Sequence, residues 1–300
     1  MSNVLSNKID FMLIISATNA NPNGDPLNGN RPRENYDGYG EISDVCIKRK
    51  IRNRLQDIGE KIFVQSDERC DDGCKSLSER ATKFFDSFKK GNTELTDEEK
   101  ATKACEEWID VRSFGQVFAF KKKNKKTKKE TEDLDESEGK SVSIGIRGPV
   151  SIHQSISVNP VDIVSMQITK SVNSEPSEGK SSDTMGTKHF VSFGLYVVKG
   201  SINCQLAEKT GFSDDDSEKI KKALETLFEN DTSSARPEGS MEVCKLVWWK
   251  HKGKAGKYSS AKIHRSVKIL AIADNPKSFN DYKITVEELP EVKPEIYDGI

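Results

Sequence analysis

A chain of 300 residues with 34% apolar and 32% charged side chains is long enough for one large domain or two ordinary ones, with a core of modest size and long polar excursions. Its 47 basic and 48 acidic residues cancel, so a polyanion partner requires a local concentration of charge. No run approaches the ~18 apolar residues of a membrane span, and MSNVLSNKID has neither the basic start nor the apolar core of a signal peptide. A soluble, cytoplasmic protein with no membrane partner is expected. The six cysteines, scattered over helix, loop and strand segments, read as free thiols of a reducing compartment. Cys70 and Cys74, the one close pair, have no second ligand pair, and the four histidines show no metal-ligand spacing, so no metal or other cofactor is expected.

Residues 8 to 18, KIDFMLIISAT, form an apolar run of strand length, continuous enough for a central strand covered on both faces. The turn chemistry of Asn21, Pro22, Asn23, Gly24, Asp25 and Pro26 then continues through Asn28, Gly29, Asn30 and Pro32 and predicts a long loop. Loops hung from the end of a core strand commonly carry function. Ser43 or Asp44 caps a helix whose stripe of Ile47, Ile51, Leu55 and Ile58 packs on a sheet. Lys48, Arg49 and Arg52 lie together roughly 60° to 160° around from that stripe, at ~100° per residue, and Lys50 and Arg54 take the other flank. Five basic residues in seven positions, with no acid among them, point to a polyanion. A solvated basic helix edge is the alternative reading.

Residues 60 to 140 read as an insertion in which short helical patches, LSERATKFFDSFKK and DEEKATKACEEWI, interrupt polar spacers. SFGQVFAF at 113 to 120 is a candidate strand. It precedes KKKNKKTKK at 121 to 129 and ETEDLDESE at 130 to 138, opposite charge blocks that read as a disordered tip or a finger gripping nucleic acid. Residues 141 to 158, SVSIGIRGPVSIHQSISV, alternate as a strand pair or one bent strand broken at Gly148-Pro149. VDIVSMQITKSV and the segment from Lys188 to Leu206 read as further strands. They flank the polar tip 173 to 187, and the two arms predict a protruding hairpin with Met185 near its end. A methionine there is either inert or an apolar wedge between bases. Ser213 caps a second helix with Asp214, Asp215 and Asp216 in its first turn and Ile220, Leu224, Leu227 and Phe228 on its buried face. MEVCKLVWWKH, KIHRSVKILAIA and DYKITVEEL complete the chain as strand-rich segments. Without its excursions the order is βαββαβ, an α+β arrangement of the ferredoxin-like and RNA-recognition type.

Several separate motifs carry a resemblance: NPNGDP, GNRPR, SDVCIKRKIRN, IRGPV, PVDIVSMQIT, TMGTKHFVSFGLYVVKG and FENDTSSARPEG. In this order, and over nearly the whole chain, they resemble the repeated backbone subunit of the type I CRISPR surveillance complex Cascade, subtype I-C. Residues 60 to 140 match least. The resemblance implies an RNA-recognition-like palm over 1–59 and 141–300, a thumb hairpin at about 160–190 and a finger-like insertion over 60–140. It also implies that copies polymerise along one CRISPR guide RNA, each thumb kinking the guide so that intervening bases pair with target DNA. Other Cascade subunits, a repeat-processing subunit and a large subunit, are the further partners implied.

A guide must be held by its phosphates and 2′-hydroxyls so that its base edges stay free. Lys48, Arg49 and Arg52 are the candidate phosphate contacts. Asn21, Asn23 and Arg31 join them from the loop, and Met185, Lys188 and His189 from the thumb by resemblance. Lysines 121 to 129 are candidate contacts to target DNA. In related type III backbone subunits a loop aspartate cleaves RNA, which draws attention to Asp25 and Asp44. A lone carboxylate without clustered acids or a histidine is no catalytic constellation, so a non-catalytic binder is expected. The rival readings are a repeat-processing endoribonuclease of the same fold superfamily and a plain interaction module.

Overall fold

The computed structural model describes residues 3–89, 95–120, 142–169 and 185–299. Its first strand, β1 (Ile9–Ala20), is buried over nine consecutive residues, as a continuous apolar run requires when both faces are covered. Two short strands, β2 (Gly24–Asp25) and β3 (Arg31–Pro32), pair within the following loop, and β4 (Tyr39–Ile42) leads into helix α1 (Asp44–Asp57). Ser43 caps α1 by accepting from the Cys46 N–H, and Ile47, Ile51 and Leu55 are wholly buried. Ile58, expected on the same stripe, lies just past the last turn and is 39% exposed.

Helices α2 (Leu77–Asp86), α3 (Asp97–Glu107) and α4 (Ile109–Phe114) are followed by strand β5 (Gly115–Phe120), which pairs with β6 (Val142–Arg147). Together they enclose a core of their own. The Phe63 ring lies 4.7 Å from Trp108 and 5.0 Å from Phe118, and Phe85, Cys105 and Ile144 close around them. Four of the nine buried residues of this core are aromatic, and large rings build a core from few positions. The stretch SFGQVFAF becomes a strand only at Gly115, since Ser113 and Phe114 finish α4. Gly115 has φ 80°, and a Cβ there would stand 2.3 Å from the Ile146 carbonyl oxygen. The lysine run 121 to 129 and the acidic run 130 to 138 lie outside the described residues.

Strands β7 (Val150–Ile152) and β8 (Ser155–Pro160) follow the break at Gly148-Pro149. Strand β9 (Ile163–Thr169) pairs with the first part of the 18-residue β10 (Met185–Ile202), from Met185↔Thr169 to Val191↔Ile163. These are the two arms of the expected hairpin; residues 170–184 between them lie outside the described residues. The second half of β10 runs beside β1.

The chain continues with α5 (Cys204–Thr210), α6 (Asp214–Glu225), β11 (Met241–Lys250), α7 (Ser260–Arg265), β12 (Val267–Ala271), β13 (Tyr282–Val286) and β14 (Pro294–Asp298). Ser213 caps α6 in a capping box with Asp216. Two segments read as strand depart from expectation. Cys204 opens α5 because the Asn203 side chain accepts from the Leu206 N–H. Lys262 to Arg265 belong to α7, whose Ser259 cap and wholly buried Ile263 outweigh the alternating pattern.

The main sheet is antiparallel in the order β14-β11-β1-β10-β8-β4, with β7 also against β10. Side chains alternate across a strand. Ile9, Phe11, Leu13 and Ile15 of β1 share one core with Ile47, Ile51, Ile220 and Leu224 of α1 and α6. Met12 and Ile14 face the other way, toward Trp249 and Ile263 and toward Tyr282. The protein is thus a mixed α+β fold in which a large antiparallel sheet is covered on both faces.

Candidate nucleic-acid interface

The loop after β1 is shaped by its own amides. Asn21 is buried; its Nδ2 donates to the Asn30 carbonyl at 2.6 Å and its backbone N–H to the Ala235 carbonyl at 2.9 Å. The Asn23 Oδ1 accepts from the Ser43 N–H at 2.9 Å and its hydroxyl at 3.0 Å, tying the loop to the start of α1. Arg31 reaches outward: its Nη1 donates to Ser165 Oγ on β9 at 3.1 Å, and Ser165 Oγ lies 2.8 Å from His189 Nδ1 on β10. Loop and hairpin therefore meet at Arg31, Ser165 and His189.

The ladder register sorts the hairpin residues by face. Ser165↔His189, Gln167↔Thr187 and Thr169↔Met185 share one face, and Val164↔Phe190, Met166↔Lys188 and Ile168↔Gly186 share the other. Met185 is 66% exposed, with Gln167 Nε2 at 3.1 Å from its sulfur. His189 and Met185 are thus brought to the face that Arg31 touches, and Lys188 is not.

The cations of α1 are held within the chain, Lys48 by its own helix and the others by tertiary partners. Lys48 Nζ donates to Asp44 at 2.9 Å, one turn back. Arg52 Nε donates at 2.8 Å to Asp110, a wholly buried carboxylate that also accepts from the Phe63 and Val64 N–H groups at 2.7 and 3.1 Å. Arg49 Nη1 donates to the Val64 carbonyl at 2.8 Å, and burial together with neighbouring Arg52 lowers its pKa. Arg49 and Arg52 thus tie α1 to Val64 and to Asp110 of α4. Lys50 is buried against Asp231, which Arg236 Nε shares at 3.2 Å, and burial lowers the Lys50 pKa. Arg54 donates to Thr226 Oγ1 at 2.6 Å and pairs with Glu229. The basic run without an acid among its members is therefore met by Asp44, Asp110, Asp231 and Glu229.

Sequence reasoning missed Asp110, Ser165, Asp231 and Arg236. Arg236 stands in the motif FENDTSSARPEG, which was a usable signal. Asp110 had none, because its partner Arg52 is 58 residues away. Asp25 and Asp44 are also engaged. Asp25 Oδ1 accepts from the Leu27 N–H at 3.2 Å and from Arg33 at 3.2 Å, and Asp44 holds Lys48. Among the described residues no group of three or more His, Cys, Asp or Glu side chains is placed to hold a metal ion, and no helix is long and apolar enough to cross a membrane.

Residues 7–287 match the family model of CRISPR-associated protein Cas7. The chain is 28% identical over 236 residues to a curated relative, the CRISPR-associated protein Cas7 of Haloferax volcanii, which covers 76% of this chain. It spans 66% of that relative's length. Two solved chains are similar at 14% identity each and cover 81% of this chain. One, from a CRISPR RNA-guided surveillance complex in a pre-nicking state, has a TM-score of 0.45 and 78% of its length covered. The other, from a CRISPR RNA-guided surveillance complex, has a TM-score of 0.43 and 68% covered. With the family match spanning almost all of its residues, the chain belongs to the CRISPR-associated protein Cas7 family.

Proposed function

We propose that this chain is a non-catalytic, guide-RNA-binding backbone subunit of a cytoplasmic type I-C Cascade. Copies polymerise along one guide RNA, beside a repeat-processing subunit and a large subunit, and present the guide to target DNA. Membership of the Cas7 family supports this reading, as does the strand order β11-β1-β10-β8 with α1 and α6 on one face, the order of a split βαβ palm. We take 1–59 and 141–300 as that palm, the β9–β10 hairpin as thumb and 60–140 as finger, whose strand β5 pairs with the palm's β6.

The observation that carries the reading is the junction of Arg31, Ser165 and His189, which joins the loop after β1 to an exposed hairpin. A strand laid along it meets Arg31, His189 and the apolar Met185 together, with Lys188 on the opposite side. Lys48, Arg49 and Arg52 serve the phosphates from α1 with the N–H groups that Asp44, Val64 and Asp110 leave over, and Asn21 and Asn23 act by shaping the loop. Such contacts grip a sugar-phosphate backbone without reading sequence. The test is to purify the protein from its host and sequence the RNA it carries; short RNAs of one repeat-derived handle plus a spacer are expected. Arg31→Glu combined with His189→Glu is expected to lose that RNA, and binding by the parent protein is expected to weaken steeply with salt, by about 0.7 log units per log of salt for each phosphate neutralised on a single strand. Wild-type loading in the double variant would overturn the site.

A further inference from the structure

The connection from α1 to α2 turns back on itself at residues 70–74, where Gly73 takes a φ of 71°, and it carries the close pair Cys70 and Cys74. One carboxylate, that of Asp72, gathers both. The Cys70 thiol donates to Asp72 Oδ1 at 3.3 Å, and its sulfur lies 3.2 Å from the Cys74 carbonyl oxygen. Cys74 gives Asp72 Oδ1 its backbone N–H at 2.9 Å, and its thiol bonds the same carboxylate. Two sulfurs held on one carboxylate are neighbours, and in this structure both are free thiols. Buried Arg80 fixes the arrangement: its Nη2 donates to Asp72 Oδ1 at 2.8 Å and reaches Cys70 Sγ at 3.5 Å, while its Nη1 donates to the Phe63 carbonyl at 2.8 Å. The Arg80 guanidinium holds the Asp72 carboxyl well below its usual range, so near neutral pH it stays charged and orients both thiols.

The two thiols differ in access. Cys70 is half-buried, whereas Cys74 is 7% exposed and lines a cavity of about 330 Å³ with Asp72, Arg80 and Trp108. Burial, with Asp72 beside it, raises the Cys74 pKa. An accessible thiol next to a buried one suits a sequence in which the first is oxidised and the second resolves it. Paired cysteines also serve metals, but a metal needs more ligands, and among the described residues no group of three or more such side chains is placed to hold one. In a reducing compartment a disulfide is transient and responds to oxidant, which matches the free thiols seen here.

We propose that Cys70 and Cys74 form an oxidation site for a peroxide, closing reversibly to a disulfide within the loop. The Cys70 sulfur, as thiolate, attacks one peroxide oxygen; the O–O bond breaks, the leaving hydroxide takes up the thiol's proton as water, and Cys70 becomes a sulfenic acid. The Cys74 sulfur then attacks the Cys70 sulfur; the S–S bond forms, the S–O bond breaks, and the Cys74 proton leaves with that oxygen as a second water. Two thiols and one peroxide thus give one disulfide and two waters, the sulfurs losing the two electrons that the peroxide gains. The bond turns a loop held by hydrogen bonds into a covalent ring beside the Phe63 backbone, where Arg80 and Asp110 both dock. The site is independent of the guide-RNA reading.

The test exposes the full-length native protein to hydrogen peroxide, quenches it with iodoacetamide in denaturant and maps tryptic peptides. Cleavage after Arg69 and Lys75 leaves both cysteines in one peptide. Its doubly alkylated form is expected to fall about tenfold or more, replaced by an unalkylated form lighter than the dithiol by two hydrogens, and dithiothreitol is expected to restore it. The peptides holding Cys105 and Cys244 are expected to change less than about twofold, because burial raises both thiols. Cys74→Ser is expected to leave Cys70 as a sulfenic acid that dimedone traps, with at least about fivefold more adduct than Cys70→Ser gives at Cys74. A parent peptide that stays dithiol, a Cys70 carried to sulfinic acid with no bond to Cys74, or a disulfide that joins two copies instead overturns the site. Equal trapping in the two variants overturns the order of the steps.

Discussion

Arg52→Ala tests whether α1 is fastened to the α2–α4 segment by a buried carboxylate. Asp110 is wholly buried and accepts three hydrogen bonds, from Arg52 Nε at 2.8 Å and from the Phe63 and Val64 N–H groups at 2.7 and 3.1 Å. Removing one partner of a buried ion pair costs about 3–5 kcal/mol because the other charge is left without compensation. Here two backbone donors remain, and a hydrogen bond to a charged group is worth about 1.5–3 kcal/mol, so roughly 2–4 kcal/mol is the expected loss. Amide hydrogen exchange at Phe63 and Val64 reads it directly, since both N–H groups point at Asp110. Their protection is expected to fall by about 30- to 700-fold, at about 1.4 kcal/mol per decade. Arg52→Lys, which keeps a cation but not the planar guanidinium, is expected to fall between the two. Protection in Arg52→Ala within threefold of the parent would refute the argument and leave Arg52 a free surface cation.

Other consequences are as direct. Burial raises the Asp216 pKa, but the fork from Arg112 at 2.7 and 3.1 Å and the Ser213 bonds outweigh it and hold the carboxyl below its usual range. A depressed carboxylate stabilises the fold above its unfolded pKa of about 3.9 and loses that contribution as pH falls through the folded value, so urea midpoints are expected to drop below about pH 4, and less so in Asp216→Asn. Burial lowers the His264 pKa, so the fold favours the neutral ring; stability is expected to decline as pH falls below the unfolded value of about 6.5, a slope that His264→Gln should flatten. Gly200→Ala would place a Cβ 2.1 Å from the Phe11 ring, which stacks on Trp248 at 5.5 Å with neither more than 1% exposed, and a loss of about 1–3 kcal/mol or more is expected in thermal melts. Burial pushes the Cys105 and Cys244 thiols up to about 11, so alkylation at pH 8 followed by mass mapping is expected to leave both unmodified in the native protein while half-buried Cys70 reacts.

What could be read from the residues follows from the range of the forces involved. The cap of Ser43, the stripe of Ile47, Ile51 and Leu55, the acids opening α6 and the unbroken apolar run of β1 are set by neighbours within a turn or by a strand's own alternation, and each stands where periodicity put it. The family signal was legible for the same reason, being carried by several short contiguous motifs. Short elements behaved otherwise. A helix of six residues such as α7 is unstable alone, so burial of Ile263 against the sheet decides it and local pattern does not.

The candidate interface was legible as composition and not as geometry. Lys50 lies off the apolar stripe of α1 yet is 4% exposed, because a loop 181 residues onward folds over it with Asp231. Arg52 meets Asp110 across 58 residues and Arg31 meets Ser165 across 134. A cavity lined by Thr18, Asn159, Phe193, Tyr282 and Asn275 draws on β1, β8, β10, β13 and a distant loop. By itself the sequence determined which residue types were available, where helices start, which strand is central and to which family the chain belongs. Only the tertiary structure decided which cations are neutralised within the chain and which side chains share a surface, because ion pairs and cavities join segments whose separation along the chain leaves no periodic trace.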